Sequence, residues 1–217
     1  MKRVAVLVLC LSLIVPAGVA PTGAAEGFSA KVSRIPNKIE RRMRGKSWHK
    51  GCPVPIRNLR LIRTTYHAFD GSREFGRLVV HKSVTDEMVY ALRKMWRNDF
   101  RIRKMYLVDR YEGSDKKSMR ADNTSAFNCR YVSGTTTWSQ HAYGKAIDIN
   151  PVENPYVAGD GSVSPKRGTE YKDRTLDRKG MIHDGDAVVR AFEDQGWGWG
   201  GYWSSSKDYQ HFSESGT

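Results

Sequence analysis

The clearest pattern in the chain is the alternation from Lys145 to Asn150. Ala146, Asp148 and Asn150 fall on one side of an extended segment, Ile147 and Ile149 on the other. This predicts a strand anchored by its apolar side, with Asp148 presented from the opposite side. Leu59 to His67 is rich in strand formers, Asp70-Gly71 supplies a turn, and Arg77 to His81 gives a second strand, so the stretch predicts a β-hairpin with a long loop. Met88, Leu92, Met95 and Trp96 then recur on one helical face. Their helix runs from Ser83 or Thr85, either of which can cap it, to about Asn98, with Asp86 and Glu87 in its first turn. Ile102 to Tyr111 predicts another strand, Gly113 to Lys117 a polar loop, and Ala126 to Val132 a strand bearing Arg130. Residues 157–183 have no periodicity, and loops of that length in compact domains are usually functional or mobile. Asp184 or Asp186 starts a helix through Val188, Val189 and Phe192, and Gly196 ends it. The aromatic, glycine-bent run Trp197 to Trp203 leads into a last strand, Lys207 to Ser213. This order predicts an α+β fold, a small central antiparallel sheet flanked by helices.

The start of the chain bears on compartment. Lys2 and Arg3 precede an apolar run, Val4 to Val15, which has the length of a signal-peptide core and is too short to span a bilayer. Pro16 and Gly18 break it, and Ala20, Ala24 and Ala25 are candidate cleavage points. Residues 1–25 therefore read as a secretory signal, with an uncleaved anchor as the alternative; Cys10 is given no role. Residues 26–50, charged and poor in apolar positions, read as a basic N-terminal arm in which Ile35, Ile39 and Met43 suggest a short helix. Residues 51–217 make one domain.

Charge narrows the partners. Loss of Lys2 and Arg3 with the signal lowers the net charge from +13 to +11. An exported chain this basic is drawn to polyanions such as cell-wall polymers, anionic membrane surfaces or nucleic acid, and charge alone does not choose among them; no nucleic-acid motif accompanies the charge, so nucleic acid is not expected as a partner. No stable membrane span is expected, and the protein should act as a monomer. The two cysteines left after the signal, Cys52 and Cys129, are expected to form a disulfide, which suits export.

The candidate chemistry lies in two short stretches. Catalytic zinc takes three protein ligands and keeps a fourth position open. Of six histidines, His141 and His211 each lie a short, definite distance from a carboxylate, so His141, Asp148 and His211 form the expected metal set. His183 in place of His211 is the alternative. Asp208 would be the base acting on the attacking water, which requires an irregular turn, because residues three apart on a regular strand face opposite sides. Arg130 is the candidate cation for the oxyanion, with a surface ion pair as the competing reading.

The string Ser139-x-His141-x-x-Gly144-x-Ala146-x-Asp148, followed by Asp208-x-x-His211, resembles the signature of the zinc D-alanyl-D-alanine carboxypeptidases. That family includes VanY- and VanX-like enzymes and the L-alanyl-D-glutamate endopeptidases of bacteriophage and bacilli. The resemblance extends back through Asn123 to Arg130 and to Cys52. It implies a bacterial, secreted or wall-associated peptidase of small α+β fold acting on peptidoglycan stem peptides. His141, Asp148 and His211 match the zinc ligands, Asp208 the catalytic carboxylate and Ser139 the motif serine, which would position substrate or support a ligand. The carboxylate is Glu in many carboxypeptidases of the family and Asp in some endopeptidases, so Asp208 leans toward an endopeptidase. The family's arginine usually lies further upstream than Arg130. Hedgehog-like domains, which resemble this family, give the alternative: a zinc-holding wall-binding module without turnover.

Overall fold

The computed structural model describes residues 27–217, so the expected signal at residues 1–25 lies outside the described residues. The first sheet is antiparallel in the order β1 (Ala30–Arg34), β2 (Leu59–His67), β3 (Arg73–His81). It is apolar on both faces, and the register shows why the sequence alternates so weakly here. Ile62 opposite Leu78 faces one core, while Leu61 opposite Val79 faces a second. The hairpin turn is shorter than expected: β3 starts at Arg73, and the Asp70 carboxylate accepts from the Ser72 amide and hydroxyl at 2.9 and 2.7 Å. The first three residues of β3 are exposed, so they carry no apolar signal.

Residues 26–50 are built into this sheet from Ala30 onward. β1 pairs with β2 along its whole length, and α1 (Asn37–Met43) buries Ile39 and Met43 against Leu59, Leu61 and Phe127. A charged segment can do this at a sheet edge, where polar side chains stay in water while the backbone pairs. Cys52 is bonded to Cys129 across a sequence separation of 77, tying this layer to the segment that leads into the site.

The helix α2 (Thr85–Arg97) packs Met88, Ala91, Leu92 and Met95 against the other face of the sheet, and Trp96 stacks on His67 of β2 at 3.8 Å. Neither Ser83 nor Thr85 caps it: a 3-10 turn, Lys82–Val84, comes first, and Thr85 is already helical. Two expected strands are extended but irregular. Between Ile102 and Tyr111 the backbone partners are mixed: the Ile102 amide donates to the His67 carbonyl and the Met105 carbonyl accepts from the Arg77 amide, while Asn150 Oδ1 accepts from the Arg103 amide and Asn123 Oδ1 from the Tyr106 amide, before a 3-10 helix at Val108–Tyr111. Along Ala126–Val132, successive amides reach three partners: Phe127 to Val79, Asn128 to His141 and Cys129 to Ser47. The expected loop at Gly113–Lys117 instead opens α3 (Asp115–Arg120), capped by the Ser114 hydroxyl, which accepts from the Lys117 amide at 3.4 Å.

After α4 (Gln140–Tyr143) come two further three-stranded antiparallel sheets. One contains β4 (Ala146–Asp148), β9 (His211–Ser213) and β7 (Gly198–Trp199); the other contains β6 (Val163–Ser164), β5 (Tyr156–Val157) and β8 (Lys207–Asp208). Thus the α+β class holds, with three small sheets in place of one central sheet. The helix α5 (Ala187–Glu193) packs on α2, and just past its end Gly196, at a φ of +77°, lets the chain turn back. Residues 157–183, aperiodic in sequence, are held by side chains. Asn150 and Asn154 both donate to the Gly180 carbonyl, and Arg174 donates to the carbonyls of Glu153, Tyr171 and Ile182. Among the described residues no helix is long and apolar enough to cross a membrane.

Replacing both Cys52 and Cys129 by Ser is expected to lower stability by about 4 kcal/mol, the entropy of a loop of this size. Urea unfolding of the oxidised protein and the double variant measures it, and equal midpoints would show that the bond constrains nothing.

Candidate active site

The site begins with a register. Asp148 on β4 lies directly opposite His211 on β9, and Ile147 lies opposite Phe212. Because neighbours on a strand alternate, the Ile147–Phe212 pair enters the core, where Phe212 stacks on Phe192 at 4.3 Å, and the Asp148–His211 pair is turned the other way. Burying those two apolar side chains contributes about 1.5–3 kcal/mol each and fixes the pairing, since a slip of one residue would reverse both faces. On its other edge, Asp148 exchanges backbone hydrogen bonds with Ser125 at 2.8 and 3.0 Å.

His141 arrives on α4, a single turn with specific ends. The buried Ser139 hydroxyl accepts from the His141 amide at 3.3 Å, and Gly144 closes the turn at a φ of +68°. A Cβ on Gly144 would sit 2.7 Å from the His81 nitrogen, whose N–H donates to the Gly144 carbonyl, so a side chain is excluded twice over. The His141 Nδ1–H donates to the Ala126 carbonyl at 2.5 Å, which leaves Nε2 as the free lone pair.

His141 Nε2, His211 Nδ1 and Asp148 Oδ1 form a triangle with edges of 3.0, 3.1 and 3.2 Å. All three residues are buried. A tetrahedral ion with donors about 2.0–2.2 Å away spaces them about 3.3–3.6 Å apart, so the observed edges fall within a few tenths of an ångström. Two imidazoles and one carboxylate suit zinc better than magnesium or calcium. The second ring nitrogen of His211, Nε2, is buried with no hydrogen-bond partner among the described residues. Burial alone would raise the Asp148 carboxyl, but the charges and hydrogen bonds of His141 and His211 outweigh it and hold it far below the usual carboxylate range. Burial opposes charge on His211, yet Asp148 and then Asp208 raise its pKa. These residues therefore fit a bound cation, which would replace the protons they otherwise share.

Asp208 reaches the same place from another sheet. β8 pairs with β5, placing Asp208 opposite Tyr156, and the turn at Tyr209-Gln210 separates it from β9. That turn is the irregularity the sequence required. The Trp199 indole holds it by donating to the Tyr209 carbonyl at 2.9 Å, and Gly200 admits the Asp208 backbone, whose carbonyl would lie 2.6 Å from a Cβ there. Burial, then the charge of Asp148, pushes the Asp208 carboxyl up to about 6; a cation at the triad would pull it back down. Gln210 Nε2 donates to Asp208 Oδ1 at 3.0 Å. Sequence reading missed Gln210, although its even spacing from Asp208 was a usable signal.

Among the described residues, none of the hydrogen bonds or ion pairs of the Arg130 side chain is to the triad. Its guanidinium pairs with Asp115 at 3.1 Å and contacts the Tyr131 carbonyl at 3.4 Å, with Nε buried and unpartnered. His183 lies apart too, with Asp186 and the Leu176 carbonyl as its partners. His49, Cys52 and Cys129 also converge, but the two sulfurs are bonded to each other.

Residues 133–214 match the family model described as D-alanyl-D-alanine carboxypeptidase. This supports the likeness to VanY-like zinc peptidases, and the matched stretch contains Ser139, His141, Asp148, Asp208 and His211 but not Arg130. No curated protein and no solved structure matches the chain.

Gly144→Ala is expected to cost about 1–3 kcal/mol through the left-handed backbone and, if the triad holds a metal ion, to weaken its binding about tenfold by displacing His141. Thermal melting and competitive zinc titration measure both, and unchanged zinc affinity would show that the α4 turn does not set the ligand.

Proposed function

We propose that this chain is a secreted zinc peptidase that cleaves peptide bonds in peptidoglycan stem peptides. The observation that carries the reading is the buried triangle of His141, Asp148 and His211 with the Asp208 carboxyl beside it. The family match over residues 133–214 supports the peptidase class, and the disulfide suits an extracytoplasmic protein.

His141, Asp148 and His211 would hold the ion. Zinc bound there supplies a Lewis acid that polarises the scissile carbonyl and makes a water more acidic. Asp208 takes the proton of the attacking water and returns it to the leaving amine. Gln210 fixes one oxygen of that carboxyl, which directs the other to the proton. Ala126 holds the His141 tautomer, and Ser139 holds the turn that carries the ring; Ser139 thus supports a ligand, and contact with substrate is a further role for it in this reading. Arg130 is assigned the developing oxyanion from its place in the chain, two residues beyond Asn128, whose amide bonds the His141 carbonyl. To act there it must exchange Asp115 for substrate. A zinc-holding module without turnover would have no use for Asp208 or for the turn that delivers it. Asp208 as the carboxylate favours an endopeptidase over a carboxypeptidase, and masses of the products from a defined muropeptide distinguish the two.

Asp208→Asn is expected to lower the rate of amine release from a muropeptide by about 10²–10⁴ while zinc content stays at one per chain. An unchanged rate removes Asp208 from the mechanism; no hydrolysis by the unaltered protein supports the binding module. Arg130→Ala is expected to lower kcat by about 10²–10³ at unchanged zinc content. An unchanged kcat would assign Arg130 to anchoring α3 through Asp115.

A further inference from the structure

A second site lies on the face of the first sheet near the N-terminal elements. A groove of about 820 Å³ runs between the end of β1, α1 and the segment that enters β2. Arg34, Arg44, Arg57, Arg60 and Lys82 line it, and Glu40 is its one carboxylate. Glu40 is already paired with Arg44, whose guanidinium also lies 5.0 Å from the Trp48 ring. Among the described residues, Arg34, Arg57, Arg60 and Lys82 have no carboxylate partner.

Arg60 is held in place there. Its Nη1 donates to the carbonyls of Arg57 and Leu59 at 3.0 and 2.8 Å, and no other protein group takes its remaining N–H groups among the described residues. At the far end His81 is held below its ordinary pKa by burial and then by Lys145, Lys82 and Arg60, against the opposing charge of Glu214, the partner of Lys145. The groove is separate from the metal triad but mechanically close to it, because buried Leu59 also packs against Gly144.

We infer that this groove binds a linear phosphodiester polymer, one charge following another along an extended chain. Four unpaired cations on one concave surface leave an uncompensated charge that a polyanion would neutralise with release of counterions. Guanidinium forks match the paired free oxygens of a phosphodiester. Single-stranded nucleic acid is disfavoured because it needs successive aromatic platforms. The groove offers only Trp48, which is covered by Arg44 and tied through its indole N–H to the Val54 carbonyl. The choice of a wall polymer over other polyanions rests on the peptidase reading; the groove does not. Such binding would hold the protein on its insoluble substrate while leaving the triad free.

The test is binding of a synthetic glycerol-phosphate oligomer to the full chain, followed by fluorescence anisotropy across a salt series. The exposed triple variant Arg34→Gln, Arg57→Gln, Lys82→Gln is compared with a charge-matched control, Arg97→Gln, Lys116→Gln, Lys179→Gln. The groove variant should bind at least tenfold more weakly at low salt, with a log–log salt slope smaller by about two, while the control changes less than about threefold. Equal losses in both variants would mean attraction by net charge alone and would overturn the site. Tighter binding of single-stranded DNA or of polyglutamate with the same charge count would overturn the choice of occupant. Hydrolysis of a short soluble stem peptide by the groove variant should match that of the unaltered protein. If neither hydrolyses it, the peptidase reading fails while the groove result stands.

Discussion

Asp148 and His211 face each other across a ladder of only three residue pairs. That pairing places one carboxylate and one imidazole nitrogen 3.0 Å apart in a buried setting, and the other parts of the site are aligned to it. Two buried polar groups this close are costly unless charge is balanced between them. The apolar pair Ile147 and Phe212, one step along the same strands, holds them there against that cost. His141 completes the triangle from a helical turn stabilised at both ends, and Asp208 comes from a different sheet. A site assembled from two sheets and one short turn needs each piece to be stiff, and the stiffness has identifiable sources: the Ser139 hydroxyl, the left-handed Gly144, the Trp199 indole and the missing side chain of Gly200.

The segments around the site are short on regular secondary structure and long on side-chain-to-backbone bonds. Asn123, Asn150, Asn154 and Arg174 stand in for strands that are not there, and each ties together segments distant in the chain. Asn150 does so at a φ of +44°, a backbone position that Asn tolerates better than most residues. Arg174 also lies over the Tyr209 ring at 4.4 Å, so the 157–183 excursion is pinned to the turn that delivers Asp208. Any displacement of that excursion would therefore be felt at the turn that carries Asp208.

These arrangements explain what could be read in advance. Regular periodicity was legible: α2, the hairpin and the alternation at β4 all follow from which positions are apolar. The convergence of His141, Asp148 and His211 was legible because each histidine lies a short, definite distance from a carboxylate beside glycine or aromatic residues. Segments 102–111 and 126–132 are extended without being strands: their amides pair with side chains and with scattered carbonyls, a choice made by tertiary contacts that local composition does not encode. The helix at 115–120 has almost no apolar face to announce it; Ser118 is its buried residue. The charged segment 30–34 joins the fold through backbone pairing, which leaves no trace in hydropathy, whereas the apolar spacing of Ile39 and Met43 does announce α1. Arg130 shows the limit most plainly. Its position in the motif suggests a cation at the site, while its guanidinium rests on Asp115, and sequence carries no information on that choice.

The central claim is that His141 Nε2, His211 Nδ1 and Asp148 together hold one zinc ion. Zinc-edge X-ray absorption on the purified protein tests it directly. The account predicts about one zinc per chain, bound by two imidazole nitrogens and oxygen donors at about 2.0–2.2 Å. Absence of stoichiometric zinc after reconstitution, or a spectrum dominated by sulfur ligands, would contradict it.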